Sequence, residues 1–201
     1  MGFVGRSAEL ARLRQELTRV KGDRGRLLVV RGRRQVGKST LLQRFVDDAD
    51  VPYAYFVAAS RARPGDELAA FVAEVAASNL EAADSFRDIS FSSWDAAFGA
   101  LARTTTRPSV VVVDEFPFLL DGDPAIEGVL QRQWDRALSR SPILLVLIGS
   151  NVAVMDLLTA HDHPLFGRAG ELGVGPLTPA DTADLLGLDA MFSMLRLSET
   201  L

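Results

Sequence analysis

The chain has 201 residues, 48% hydrophobic and 24% charged, with a formal net charge of −4 and an isoelectric point near 5.2. That length supports a buried core without covalent staples, and the absence of cysteine excludes disulfides, thiol nucleophiles and cysteine-based metal sites. The acidic balance leaves no overall basic footprint for nucleic acid. Apolar runs such as Ile143–Ile148 are strand-length and far short of a membrane span, and Met1–Arg6 carries neither a secretion signal nor a lipidation signal. A soluble cytoplasmic protein of one medium domain is the expectation.

Ser7 reads as an N-cap, followed by Leu10, Leu13, Leu17 and Val20 along one helical stripe. The run Leu27–Val30 is a strand, leading into Gly32–Thr40 and then a helical pattern at Leu41, Leu42, Phe45 and Val46. Val51–Val57 is a second strand, and a helix follows from about Asp66 to Ala77. Residues 78–92 are ambiguous, after which Ser92 or Ser93 caps a helix bearing Trp94, Phe98 and Leu101. The four valines Val110–Val113 are typical of a strand buried on both faces. Asp123 and Pro124 open another helix with Ile126, Val129, Leu130 and Trp134 inward. Ile143–Ile148 is again a fully apolar strand, followed by Gly149-Ser150-Asn151, a helix near Val152–Leu158 and a short strand around Glu171–Val174. Thr178-Pro179-Ala180-Asp181 has the residues of a cap, a Pro at the first helical position and an acid two positions later. Alternating strands and helices imply an α/β fold around a parallel sheet.

Gly32-Arg33-Arg34-Gln35-Val36-Gly37-Lys38-Ser39-Thr40 fits G-x-x-x-x-G-K-[ST] in the required strand–loop–helix setting. Glycines at both ends let successive N–H groups turn inward, and the helix N-terminus behind them adds partial positive charge. Lys38 is expected on the β- and γ-phosphates and Ser39 on Mg²⁺. Only Lys21 and Lys38 are lysines among the 22 Lys and Arg residues, so a compact ammonium is used sparingly here. Arg33 and Arg34 either add positive potential or pair with carboxylates at the sheet edge.

Asp114 and Glu115 follow the valine strand, at the carboxyl edge where open α/β sheets bind ligands. Asp114 fits the acid that holds the hydrated metal, and Glu115 is placed to orient or deprotonate a water. Ser150 could touch a γ-phosphate or the attacking water; Ser and Asn also simply form turns after strands, and that alternative stays open for Ser150 and Asn151. Arg168 is a candidate for stabilising charge at a transferring phosphate, in cis or in trans, against the plainer reading of a solvated arginine. His161-Asp162-His163 has metal-binding residue types but no third strong ligand nearby, and reads as an exposed loop.

Together these segments resemble the archaeal-type ATPases, AAA-like P-loop proteins of the STAND group. The resemblance rests on Gly2–Arg6 with Glu9-Leu10, on Gly32–Ser39, on Asp114–Pro117, on Leu147–Ser150 and on Pro164–Arg168. It implies a three-layer αβα P-loop NTPase fold with a five-stranded, mainly parallel sheet. In that sheet the Ile143–Ile148 strand lies between the Leu27–Val30 and Val110–Val113 strands. It also implies that Val4, Gly5 and Arg6 lie near the adenine and phosphates, and that Arg168 belongs to the family's Gly-Arg element. The ATPase domain is expected over residues 1–189. Family members continue into a helical lid and a winged helix, so residues 190–201 are expected to be a short tail on a truncated member. DNA binding would require such a C-terminal domain. The expected function is ATP binding and hydrolysis with Mg²⁺; the alternative is an ATP-binding switch or interaction module with little turnover. Self-association and partner proteins stay open, and a small-molecule kinase ranks last because no acceptor-binding motif is visible.

Overall fold

The computed structural model describes residues 3–187; residues 188–201, which include the expected tail, lie outside the described residues. Five strands form one sheet: β1 (Arg26–Arg31), β2 (Tyr53–Val57), β3 (Ser109–Asp114), β4 (Ile143–Gly149) and β5 (Ala169–Gly173). Their order is β2-β3-β4-β1-β5, and every pairing is parallel. The inserted β4 separates the β1 and β3 strands, as the resemblance implied. Every residue of β3 and β4 is buried, which explains the unbroken apolar runs Val110–Val113 and Ile143–Ile148.

Strand alternation divides the core into two faces. Val110, Val112, Leu144, Val146 and Ile148 meet α1 (Ser7–Thr18) and α2 (Lys38–Asp48). Val111, Val113, Leu145 and Leu147 face a second layer of helices. That layer contains α3 (Pro64–Ala77), α4 (Trp94–Thr104), α5 (Phe116–Gly122), α6 (Ile126–Arg136) and α7 (Val152–Leu158). Phe71 lies at its aromatic centre, edge-on to Phe56 and Phe98 with ring centroids 5.6 and 5.7 Å apart. A last helix, α8 (Pro179–Leu186), is opened by the expected capping box between Thr178 and Asp181.

Local readings differ from the structure at several places. Ser7 is the first helical residue of α1 rather than its cap; Arg6 occupies the cap position in left-handed conformation. Asp123 accepts from Ala125 N–H at 3.0 Å in a turn, and α6 starts only at Ile126. Ser93, not Ser92, caps α4. The ambiguous stretch contains a 3₁₀ helix, Glu81–Phe86, and α5 follows Glu115 with Pro117 in its first turn. The last strand begins at Ala169, two residues earlier than expected.

One ion cluster ties α1 to β1. Glu16 is 0% exposed and meets Arg12 at 2.8 Å, Arg19 at 2.9 Å and Arg26 at 2.9 Å. The arginines keep part of their surface in water, so losing the carboxylate costs less than breaking a fully buried pair. Glu16→Ala is expected to destabilise the fold by about 2 kcal/mol. A urea titration checks this: the midpoint should fall with an unchanged slope.

Candidate functional site

The phosphate loop is shaped by two glycines. A Cβ on Gly32 would collide with the carbonyl oxygen of Val174, because the loop leaves β1 pressed against the end of β5. Gly37 has φ +87°, in the left-handed region that favours glycine, and directs the chain into α2. Among the described residues, the N–H groups of Gly37, Lys38, Ser39 and Thr40 have no protein acceptor. Free donors at a helix start are ready partners for an anion. Lys38 is buried, and its Nζ donates to the carbonyls of Gly32 at 2.9 Å and Arg33 at 3.1 Å. Desolvation lowers its pKa; Glu115 and Asp114 oppose that shift, while Arg34 adds to it.

Three elements converge on Asp114, which is only 3% exposed. Ser39 Oγ, at the start of α2, donates to Oδ2 at 2.6 Å. Tyr55, on β2, donates its hydroxyl to the same oxygen at 2.8 Å. The N–H of Glu115 donates to Oδ1 at 2.8 Å. Burial, with Asp114 beside it, pushes the Tyr55 phenol well above its ordinary pKa, so the hydroxyl keeps its proton.

Glu115 takes φ 53° and ψ 42°, a left-handed conformation for a non-glycine residue. Such a conformation costs on the order of 1 kcal/mol and concentrates at functional positions. It turns the chain sharply between β3 and α5. The Glu115 carboxylate accepts from Ser150 Oγ at 3.0 Å and from the Ser150 N–H at 3.4 Å, across the ends of β3 and β4. Asn151 accepts from Val154 N–H and caps α7, which accounts for that residue.

Three cavities border the loop, one of them, of about 630 Å³, lined by Ser39, Thr40, Tyr55 and Asp114. A polar one of about 440 Å³ is lined by Arg34, Gln35, Lys38, Ser39, Glu115 and Ser150. An apolar one, also of about 440 Å³, lies between Phe3, Val4, Val36, Pro176, Leu177 and Leu185. Both include Gln35, Gly37 and Thr40, so a ligand with a polyphosphate and an apolar ring would span them. A larger groove of about 720 Å³ lies beside α3, lined by Phe86, Phe91 and alanines; none of the phosphate-loop or Asp114–Glu115 groups lines it.

Arg6 and Gly5 organise the apolar side. The Arg6 guanidinium, 8% exposed, donates to the carbonyls of Val36 and Gly175, each at 2.7 Å, and to Glu9 at 2.9 Å. It joins the phosphate loop to the segment after β5. Gly5, with φ +70°, sits against the Asp181 carboxylate, where a Cβ would come within 2.6 Å of Asp181 Cγ.

The structure thus brings Lys38, Ser39, Asp114, Glu115 and Ser150 together. Arg168 lies elsewhere. Its Nε and Nη2 bind Asp135 at 2.8 and 2.9 Å, and Nη1 donates to the carbonyls of Pro164 and Phe166. That pairing holds the Asp135 carboxyl below its usual range. His163 faces Glu127 at 3.4 Å and His161 faces Asp162; among the described residues no group of three His, Asp or Glu side chains is arranged to hold a metal. Tyr55, Pro176, Leu177 and Leu185 escaped the sequence reading. For Tyr55 a signal existed: on β2, alternate residues Tyr53 and Tyr55 share the face that packs on α2.

A phosphate loop after β1, an acidic pair after β3 and the strand inserted between them define a P-loop NTPase of αβα type. The sequence model described as the AAA ATPase domain matches residues 2–195, and the chain belongs to that family. It is accordingly a nucleotide-binding domain of ATPase type. An uncharacterised protein of Methanocaldococcus jannaschii is 28% identical over 177 residues, covering 87% of this chain and 36% of that protein. Among solved structures, the Walker-type ATPase of Pyrococcus abyssi shares the fold with a TM-score of 0.66 at 21% identity, over 92% of this chain and 57% of that one. The ORC2 protein of Aeropyrum pernix, in ADPNP and ADP complexes, gives 0.66 at 16% identity, over 90% and 50%. Drosophila ORC bound to DNA gives 0.69 at 16% identity, over 96% and 49%. The chain therefore spans about a third of the curated relative and about half of these structures. No helix among the described residues is long and apolar enough to cross a membrane.

Replacing Arg6 by Ala removes both carbonyl contacts that pin the loop. The expected result is a loss of about 2 kcal/mol of stability and roughly tenfold weaker binding of ADP. Thermal unfolding and calorimetric titration with ADP check the two effects.

Proposed function

We propose that this domain binds ATP with Mg²⁺ and hydrolyses the β–γ phosphoanhydride. The observation that carries the reading is the meeting of Lys38, Ser39 and Glu115 at one polar cavity beside free loop N–H groups, with Asp114 hydrogen-bonded to Ser39 at its edge. The Gly37–Thr40 amides receive the phosphate oxygens, with Gly32, Arg33, Arg34, Gln35 and Val36 completing the loop around them. Lys38 exchanges its two carbonyl contacts for the β- and γ-phosphates. The ring of the nucleotide occupies the cavity of Phe3, Val4, Pro176, Leu177 and Leu185, and Arg6 holds the wall between the two cavities.

The Ser39 hydroxyl and the Asp114 carboxylate are hard oxygen donors side by side, the chemistry that suits Mg²⁺. When bound, the ion would neutralise charge on the β- and γ-phosphate oxygens. Glu115 accepts a proton as water attacks the γ-phosphorus, the bond to the bridging oxygen breaks, and ADP leaves with that electron pair. The proton returns to solvent with inorganic phosphate. Ser150 positions Glu115 and stands within reach of the γ-phosphate. Arg168 can serve charge stabilisation only after leaving Asp135, in cis or from a neighbouring copy.

A second reading is favoured by one observation. Glu115 is tied to Ser150 and Arg168 to Asp135, so two groups proposed to drive hydrolysis are held by other side chains. The domain would then be a nucleotide-operated switch with slow turnover, in keeping with a STAND-type protein of the cytoplasm that acts through self-association or a partner protein. DNA contact, present in the longer relative whose structure holds DNA, is assigned to none of the described residues.

Glu115→Gln decides between these readings. Under the hydrolytic reading it lowers phosphate release at least 100-fold while ATP affinity stays within about twofold of the parent protein. Hydrolysis by the variant at the parent rate would overturn the role of Glu115. Tight binding by the parent protein with no conversion in a single-turnover assay would establish the switch.

A further inference from the structure

Tyr55 has no place in the hydrolytic scheme, yet it touches the carboxylate on which that scheme depends. β2 is an edge strand, and its register with β3 pairs Val57 with Asp114 and Tyr55 with Val112. Tyr55 therefore starts two residues below the end of the sheet, about 7 Å from it at the rise of a β-strand. A tyrosine is long enough to cover that distance. Its hydroxyl arrives 2.8 Å from Asp114 Oδ2, the oxygen that Ser39 also approaches at 2.6 Å. With the Glu115 N–H on Oδ1, the carboxylate has three donors from three segments. Only the Ser39 donor would be rearranged by a cation lying between Ser39 and Asp114. The phenol and the amide are the contacts that can keep the carboxylate plane fixed through that exchange.

We infer that Tyr55 is a positioning residue for the Ser39–Asp114 cation site, orienting the Asp114 carboxylate toward a nucleotide-bound divalent ion. The inference rests on the reading of Asp114 proposed above. Among the described residues Tyr55 makes no hydrogen bond to the phosphate-loop amides or to Lys38; its phenol meets Asp114 and the Ser39 hydroxyl, so its effect should centre on that pair. Tyr53 supplies an internal comparison. It lies on the same face of the same strand, but its hydroxyl meets Asp47, at the far end of α2.

The test follows Mn²⁺ by electron paramagnetic resonance, titrated into protein saturated with ADPNP. ADPNP affinity is measured separately in the absence of metal. Tyr55→Phe keeps the ring and removes only the hydroxyl. It is expected to weaken Mn²⁺ binding in the ternary complex five- to tenfold, with metal-free ADPNP affinity changed less than twofold. Tyr53→Phe should change neither. If Tyr55→Phe binds Mn²⁺ as the parent does while Asp114→Ala does not, the inference fails and the Asp114 reading stands. Equal weakening of metal-free ADPNP binding by Tyr55→Phe would also overturn it, by showing a general structural role. If Asp114→Ala leaves Mn²⁺ binding unchanged, the Asp114 reading fails and the inference with it.

Discussion

The hydrogen bond between Ser39 and Asp114 is the contact on which the site depends. It joins the first turn of α2, the helix that follows β1, to the end of β3, and β4 lies between those two strands in the sheet. For those residues to meet, the phosphate loop must leave β1 against Val174, and β4 must carry its own tip, Gly149-Ser150, between them. Gly149 has little room: an added Cβ would press on Met155 and on Pro117, so α5 and α7 pack close over the end of β4. The buried parallel sheet is therefore a ruler. Its register sets the distance between the Ser39 hydroxyl, the acidic pair and the serine that faces it.

Much of this was legible in the sequence because the physics is local. The loop glycines, the loop lysine and the valine run before Asp114-Glu115 each reflect a requirement met within a few residues. The two wholly buried strands announced themselves by having no polar residue to place on a solvent face. What escaped depends on contacts across the fold. Arg6, read as a residue near the nucleotide, reaches 30 positions to Val36 and 169 to Gly175 to hold the loop in place. Arg168 shows the same limit: its motif suggests phosphate chemistry, but its partner Asp135 lies on α6 and could not be named from spacing. The α5 helix was missed because its start is set by the left-handed turn at Glu115, which has none of the usual capping residues.

The pairing of Glu115 with Ser150 and of Arg168 with Asp135 gives the site a definite resting arrangement. Each contact engages a group to which a part in hydrolysis is proposed, and each joins separate segments of the chain. A γ-phosphate offers Ser150 a competing acceptor, which would release Glu115. Membership of the AAA ATPase domain family fits such nucleotide-responsive geometry.

The central claim is that the loop amides and the Ser39–Asp114 pair together form a nucleotide–metal site. Amide hydrogen exchange across residues 32–44, with and without ADPNP and Mg²⁺, addresses it most directly. The Gly37–Thr40 amides, which have no protein acceptor among the described residues, should become strongly protected, and Lys38→Ala should lose that protection. Exchange at those four amides that is unchanged by saturating ADPNP and Mg²⁺ would contradict the claim.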